Sequence, residues 1–584
     1  MPDLNIHQSM LAAIEQHQAG RVSEAQAIYE QVLAANPNHP DALHLLGVAM
    51  FQSKQPMRAI ELIERAIAIN PLVPDFHWNL GRVLATVGRH EQAANHFRRA
   101  LVGQPDHPDI WNDLGNALQI SGQWQQSIAA YHQVLARRPD DPDALNNLGN
   151  ALREGGQLDF SIRQLLRAIE LRPDFPEAHN NLGNAYQAVN RFDDAIAEYQ
   201  KSLSLRPDYA QAYNNLGGAL RASDKLDEAI ASFNRAISLR PDFADAYNNL
   251  GATLLDQDKT DQAIATYRRA IELRPDFAEA HHNLSIALLS KGDYAAGWAE
   301  HGWRWQMKEL IGTHQRLAHP QWTGEPLNGK RLFLHAEQGF GDTLQFVRYL
   351  PLAAQRGATI ILACQRELVR LLKTMEGIAE ILTEGDPLPS FDVHCPLLSL
   401  PGIFGTTEET IPVNIPYLKA DEVLSSRWRK RVEQYSEKLK VGITWSGSAT
   451  FKLNHRRSVT LDMLSPLFDI ENVQFFSLQK GETSSQTKGT HVIDWTDELI
   501  DFAETAALID NLDLVISVDT SVVHLAGALG KRVWVLLGIS PDWRWLRDRT
   551  DSPWYPAMRL FRKSRMNDWT SVIDQVAQEL ACLK

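Results

Sequence analysis

The sequence predicts a two-part fold: an all-α superhelix of repeats, followed by an α/β half built as two parallel-sheet units. Two observations carry this. A 34-residue period runs from Ile6 to about residue 305, and from residue 329 the pattern changes to short apolar strands, glycine-bearing turns and helices. At 584 residues the chain is too long for one core, and 44% hydrophobic with 22% charged residues is a globular composition.

The repeats open at Ile6, Pro40, Pro74, Pro108, Pro142, Pro176, Ala210, Ala244 and Ala278, and Leu-Gly recurs in step from Leu46-Gly47 to Leu250-Gly251. Within 142–175, Leu145, Leu148, Ala151 and Leu152 carry one helix at i, i+3, i+4 spacing, and Gly155-Gly156 turns the chain. Ile162, Leu166, Ala168 and Ile169 carry a second helix. It ends at Arg172-Pro173-Asp174, because proline cannot continue a helix and restrains the residue before it. Gly149 stands where bulk would push the paired helix away. One such unit cannot bury its apolar face; a stack forms a solenoid whose inner groove suits another chain. Leu-Gly, a central small residue and a late proline at period 34 resemble the tetratricopeptide repeat, in nine units with the first and last looser.

An asparagine often precedes Leu-Gly: Asn79, Asn147, Asn181, Asn215, Asn249, and Asn283 before Leu284, with Asp113 in one unit. One position per repeat forms one line along the groove. An amide offers donors and an acceptor, so it can grip a peptide backbone, or it can bond locally. The line resembles the groove of animal O-GlcNAc transferases. That resemblance implies Asn147, Asn181, Asn215, Asn249 and Asn283 as contacts to an acceptor protein. After Asp293 the period fails, and Trp298, Trp303, Trp305 and Trp322 follow at a density that calls for burial. This 293–328 segment is expected to dock the repeats (1–292) on the next domain; a sugar-stacking platform is the other reading.

In the second half Arg331–His335 and Thr359–Ala363 read as strands of a first unit, 329–418. A polar linker spans about 419–438. Val441–Trp445, Val473–Leu478, Leu514–Val518 and Val533–Leu537 read as strands of a second unit, 439–584. Two Rossmann-like units joined this way form a cleft with ligands at strand carboxyl ends. A dinucleotide dehydrogenase fits poorly: Gly339 and Gly341 are two of three needed glycines, Leu344 takes the third place, and no carboxylate follows Ala363 to hold a ribose. After Val518, Asp519 or Thr520 is expected to cap a helix that Gly530 closes. Its free N–H groups, with the Thr520 and Ser521 hydroxyls, make an anion site, and His524 one turn in can donate to a phosphate. Ordinary capping and a packed His524 are the plainer alternative.

DTSVVHLAGALG (519–530) resembles the donor-site motif of the heptosyltransferase family of GT-B glycosyltransferases, and QGFGDTLQFVRYLP (338–351) resembles that family's N-terminal glycine–aspartate turn. The order of the two motifs matches. The resemblance implies an all-α tetratricopeptide superhelix followed by an α/β GT-B domain of two Rossmann-like units, an arrangement that also resembles bacterial flagellin and other protein glycosyltransferases. It implies Asp342 as the catalytic base, since an acceptor hydroxyl must lose its proton as it attacks the anomeric carbon. Backbone amides at a helix start are expected to hold Asp342 ionised; Glu337 and His335 are nearby substitutes. Gly339, Gly341, Asp519, Thr520, Ser521 and His524 are the implied donor contacts. Arg456-Arg457 fall where a basic residue offsets diphosphate charge, through arginine's fork of donors. Gln479, Lys480 and Glu482 are expected to border the nucleoside. The chain departs from the family at the bulky Gln345-Phe346, so neither a heptose donor nor a lipopolysaccharide acceptor follows from the match.

No Asp-x-Asp sits at a strand end and the histidines lack ligand spacing, so neither a metal nor a cofactor is expected, with the nucleotide sugar as substrate and inverting transfer implied by the family. The alternatives are a scaffold with an inert transferase-like half, or an enzyme acting on a glycan or lipid. A net charge of −13 without a basic block argues against nucleic acid as partner. Cys364, Cys395 and Cys582 fit neither a disulfide framework nor a zinc site. No apolar run is long enough for a membrane span and MPDLNIHQSM is no signal peptide, so the expected setting is cytoplasmic, with a homo-oligomer left open.

Overall fold

The computed structural model describes residues 6–307, 317, 319–448, 454–563 and 568–583. The chain divides into two compact units, Met1–Arg240 and Pro241–Lys584.

In the first unit, helix pairs run from Ile6–Gln18 and Val22–Ala35 to Ala210–Ala222 and Leu226–Leu239. The residues that open each repeat begin its first helix. Proline fits there because the N–H it lacks would have had no partner inside the helix. Asp141 caps one such helix, its Oδ1 accepting from the N–H groups of Asp143 and Ala144 at 3.0 and 3.1 Å. A Cβ on Gly149 would lie 2.6 Å from Leu165 Cγ, and one on Gly183 the same distance from the Tyr199 ring. Glycine therefore lets the two helices of a repeat close.

The second unit begins with repeat helices Ala244–Asp256, Thr260–Leu273 and Ala278–Ser290, then Tyr294–His301. Two parallel sheets follow. The first orders β3 (Ile378–Leu382), β2 (Thr359–Ala363), β1 (Arg331–His335) and β4 (Val393–Pro396). The second orders β6 (Val473–Ser477), β5 (Leu439–Thr444), β7 (Leu514–Val518), β8 (Val533–Leu537) and β9 (Met558–Arg562). The sequence reading lacked β3, β4 and β9, which are short or interrupted by charge.

The stretch 419–438 is not a polar linker. Asp421 caps a helix, Glu422–Val432, whose Trp428 is fully buried and donates from Nε1 to Glu504 Oε2 at 2.9 Å. Its many charges disguised one apolar anchor per turn: Trp428 on one, Val432 on the next.

Of the tryptophans of the join, Trp322 is buried as expected, while Trp298, Trp303 and Trp305 are half-buried. Trp298 donates to the Thr406 carbonyl at 2.9 Å and meets Trp543 edge-on, and Trp322 is fully buried against Phe404. Trp303 instead stacks on His281, centroids 3.9 Å apart, inside the last repeat.

Candidate active site

In each sheet the first strand lies between neighbours reached in opposite directions, and the crevice at that reversal is where open α/β sheets bind ligands. In the second sheet it lies between β5 and β7. The chain leaving β7 passes Asp519 and Thr520 into the helix Ser521–Ala528. The chain leaving β1 passes Glu337 and Gly339 into the helix Phe340–Phe346. The two helices pack together: a Cβ on Gly341 would lie 2.8 Å from His524 Cδ2, so both glycine-bearing motifs meet only because position 341 has no side chain.

Asp342 faces this junction. Its Oδ2 accepts the Gly339 N–H at 3.1 Å and its Oδ1 pairs with Arg544. Burial pushes the Asp342 carboxyl up, against the pull of the Arg544 guanidinium and the Gly339 N–H. Desolvation is the larger effect, and the Arg544 guanidinium, more than the backbone amides the sequence suggested, is what favours the ionised carboxylate.

Arg544, which the sequence reading missed, is the hub. It binds Asp342 and Gln345 and reaches Asp542 Oδ1 at 2.8 Å. The signal was there in Trp543-Arg544-Trp545, an arginine between tryptophans, since a charge in apolar company needs a partner. The bulky Gln345 and Phe346 are explained here too: both are fully buried, Gln345 held by Arg544 and Phe346 against Trp543 and Trp554.

On the β7 side no side chain caps the helix, although Thr520 holds the capping position and its hydroxyl lies 3.1 Å from Ser517 Oγ. Asp519 therefore does not cap. Burial, with Asp542 close by, raises its carboxyl to about 6. His524 is buried, bonded through Nδ1 to the Tyr555 hydroxyl at 3.0 Å and stacked on Trp545. Desolvation, with Arg544 and Arg348 nearby, keeps it far below the usual imidazole range. The packed alternative thus describes His524 better than the phosphate donor.

The other predicted donor residues separate. Arg457 lies against Gly447, where a Cβ would come within 2.7 Å of its Nη2, and its charge acts on Asp519. Arg456 turns away to Asp256 of the repeats, Nη1 to Oδ2 2.9 Å. Gln479 is not a nucleoside contact. Its amide is engaged at both ends, accepting from the N–H groups of Trp445 and Ser446 and donating to the carbonyls of Ser446 and Lys480. Lys480 is drawn to the Thr496 carbonyl at 2.6 Å, and Glu482 is exposed. Glu337 is also withdrawn from base duty, because Arg304 grips both its oxygens at 2.9 and 3.1 Å with both side chains buried. His335 Nε2 lies 3.4 Å from His394 Nδ1.

The asparagine line joins repeat to repeat. Asn147, Asn181 and Asn283 donate to Asn112, Asn146 and Asn248 at 3.4, 2.9 and 2.9 Å. Asn215 donates to both Asn180 and Asn184 at 3.0 Å, which uses both its N–H groups. Asn79 faces His44 Nε2 at 2.9 Å, and where Trp78 replaces the acceptor the next repeat supplies Asp113 to receive its indole N–H at 2.8 Å. The local alternative therefore describes Asn79, Asn147, Asn181, Asn215 and Asn283. Asn249 is engaged as well.

Comparison with known proteins agrees with both halves. Tetratricopeptide models match residues 16–80, 79–118, 118–152, 149–190, 174–242, 244–277 and 266–299, and glycosyltransferase family 9 (heptosyltransferase) matches 499–567. The chain joins tetratricopeptide repeats to a C-terminal segment that is similar to family 9 glycosyltransferases. The segment matched to that family contains Asp519–His524 and Arg544. Protein FlbA of Caulobacter vibrioides is 26% identical over 324 residues, which are 50% of this chain and 53% of FlbA. The chain thus spans about half the length of that curated relative. Solved structures similar to it include the APC/C hetero-tetramer Cut9–Hcn1, at 20% identity over 46% of this chain and 52% of that one, TM-score 0.36. MamA is 27% identical over 28% of this chain and 97% of its own, TM-score 0.26. Among the described residues no helix is long and apolar enough to cross a membrane, and no cluster of three metal-ligating side chains occurs.

Proposed function

We propose that this glycosyltransferase takes a nucleotide sugar and transfers the sugar, with inversion, to a serine or threonine hydroxyl of a protein held by the repeats. The observation that carries the reading is the packing of the Asp342 turn against the helix that starts, uncapped, after β7. In the reaction the acceptor O–H breaks and its proton passes to the Asp342 carboxylate. The freed oxygen bonds to the anomeric carbon, and the bond from that carbon to the diphosphate breaks with its electrons on the phosphate oxygen. The helix N–H groups near Ser521 and the Arg457 guanidinium offset the charge that develops there. Gly339, by donating to one Asp342 oxygen, leaves the other to Arg544 and fixes the carboxylate plane.

The test is mass spectrometry of proteins from cells with and without the chain, paired with Asp342→Asn. A sugar-sized mass increase that needs both the chain and Asp342 is the expected result. No increase on any protein, together with transfer to a free glycan or lipid, would assign the repeats to assembly instead.

A further inference from the structure

Arg456 and Arg457 are adjacent in a short helical turn, Asn454–Arg457, that follows β5. Their side chains diverge. Arg457 turns inward to Gly447 and acts on Asp519, while Arg456 reaches Asp256 at the end of the repeat helix Ala244–Asp256. The side chains of this second pair are only 17% and 11% exposed, so the pair is shielded from solvent far more than an ordinary surface ion pair. Two residues on, Asp258 pairs with Arg547 at 2.6 Å, and the same Arg547 nitrogen donates to the Ile539 carbonyl at 3.2 Å. Ile539 lies in the chain leaving β8. That chain also touches Arg456 directly: a Cβ on Gly538 would stand 2.9 Å from the Arg456 carbonyl oxygen.

In the sheet, β5 and β8 flank β7 on either side. One acidic turn of the repeats, Asp256–Asp258, therefore pins the two loops that bracket the helix start after Asp519. We propose that this turn is a positioning element for the donor site: by holding Arg456 from outside, it aims Arg457 at a bound nucleoside diphosphate. The inference rests on the transferase reading above. It makes the penultimate repeat part of the donor site's scaffold, not only of the acceptor groove.

The experiment measures binding of UDP, GDP, ADP, CDP and TDP by calorimetry to the full chain, and donor KM and kcat. The variants are Asp256→Asn with Asp258→Asn, Asp256→Glu, and the exchange Asp256→Arg with Arg456→Asp. The double asparagine variant should bind the preferred nucleotide three- to tenfold more weakly and raise donor KM by the same factor, with kcat within twofold. The conservative and exchanged variants should recover most of that loss. Unchanged affinity and KM in the double variant, whatever its melting temperature, would overturn the proposal while leaving the transferase reading intact. A parent chain that binds none of the five nucleotides would overturn both.

Discussion

Asp342 is pulled in two directions, and the balance decides its chemistry. Burial raises its carboxyl, while Arg544 and the Gly339 N–H hold it down, with burial the larger. A base must be unprotonated, so the acid limb of kcat should fall at a pH above the ordinary carboxylate range of about 4. Asp342→Asn should lower kcat by about 10²–10⁴-fold; an assay in which it retains parental rate would remove Asp342 from the mechanism. Glu337 looks equally available in the sequence, one turn earlier, yet it is committed to Arg304. Arg304→Met leaves that carboxylate buried and uncompensated and should cost about 3–5 kcal/mol in denaturant unfolding. Arg304→Met with Glu337→Leu should recover most of this. The turn and helix start that carry Asp342 were legible because both are local features. The roles of Glu337 and Arg544 were not, because their partners lie 33 and 202 residues away.

The repeat was fully legible at the scale of elements, since each unit restates the same proline, Leu-Gly and turn. The structural meaning of its asparagines was not. Periodicity placed them on one line, but only the stacking shows Asn147, Asn181, Asn215 and Asn283 each reaching 35 residues back to the preceding repeat. Gly183 makes a direct test of the packing. Gly183→Val would drive side-chain carbon into Tyr199 and should destabilise by about 1–3 kcal/mol, read as a lower urea midpoint of the repeats. In the α/β half the strands β1, β2, β7 and β8 were found to the residue. The short strand β4 and the arginine-flanked β9 were missed, since they become strands by pairing with β1 and β8. The Glu422–Val432 helix escaped notice because charge dominates its composition and its burial falls on Ser425, Trp428 and Val432.

Across the whole molecule, burial keeps several histidines neutral. His44, His96 and His282 are pushed down to about 4, and His301 and His524 well below the usual imidazole range. The unfolded chain takes up those protons near pH 6.5, so the stability they contribute is present above that pH and is lost as pH falls from there toward 4. Asp519, raised to about 6, acts in the opposite sense, as do the raised Asp342 and Glu337, but the imidazoles are more numerous. The urea midpoint should be lower at pH 5 than at pH 7.5; a higher one would refute the assignment of these histidines as buried and neutral. By itself the sequence determined the repeat period, the change to parallel α/β units, and the two glycine- and aspartate-bearing turns, because each is written in residues close together along the chain. The tertiary structure alone decided which charges are spent on structure and which remain for chemistry. A buried charge is held by partners that folding brings from other elements, and Arg304, Arg456 and Arg544 are assigned only when those partners arrive.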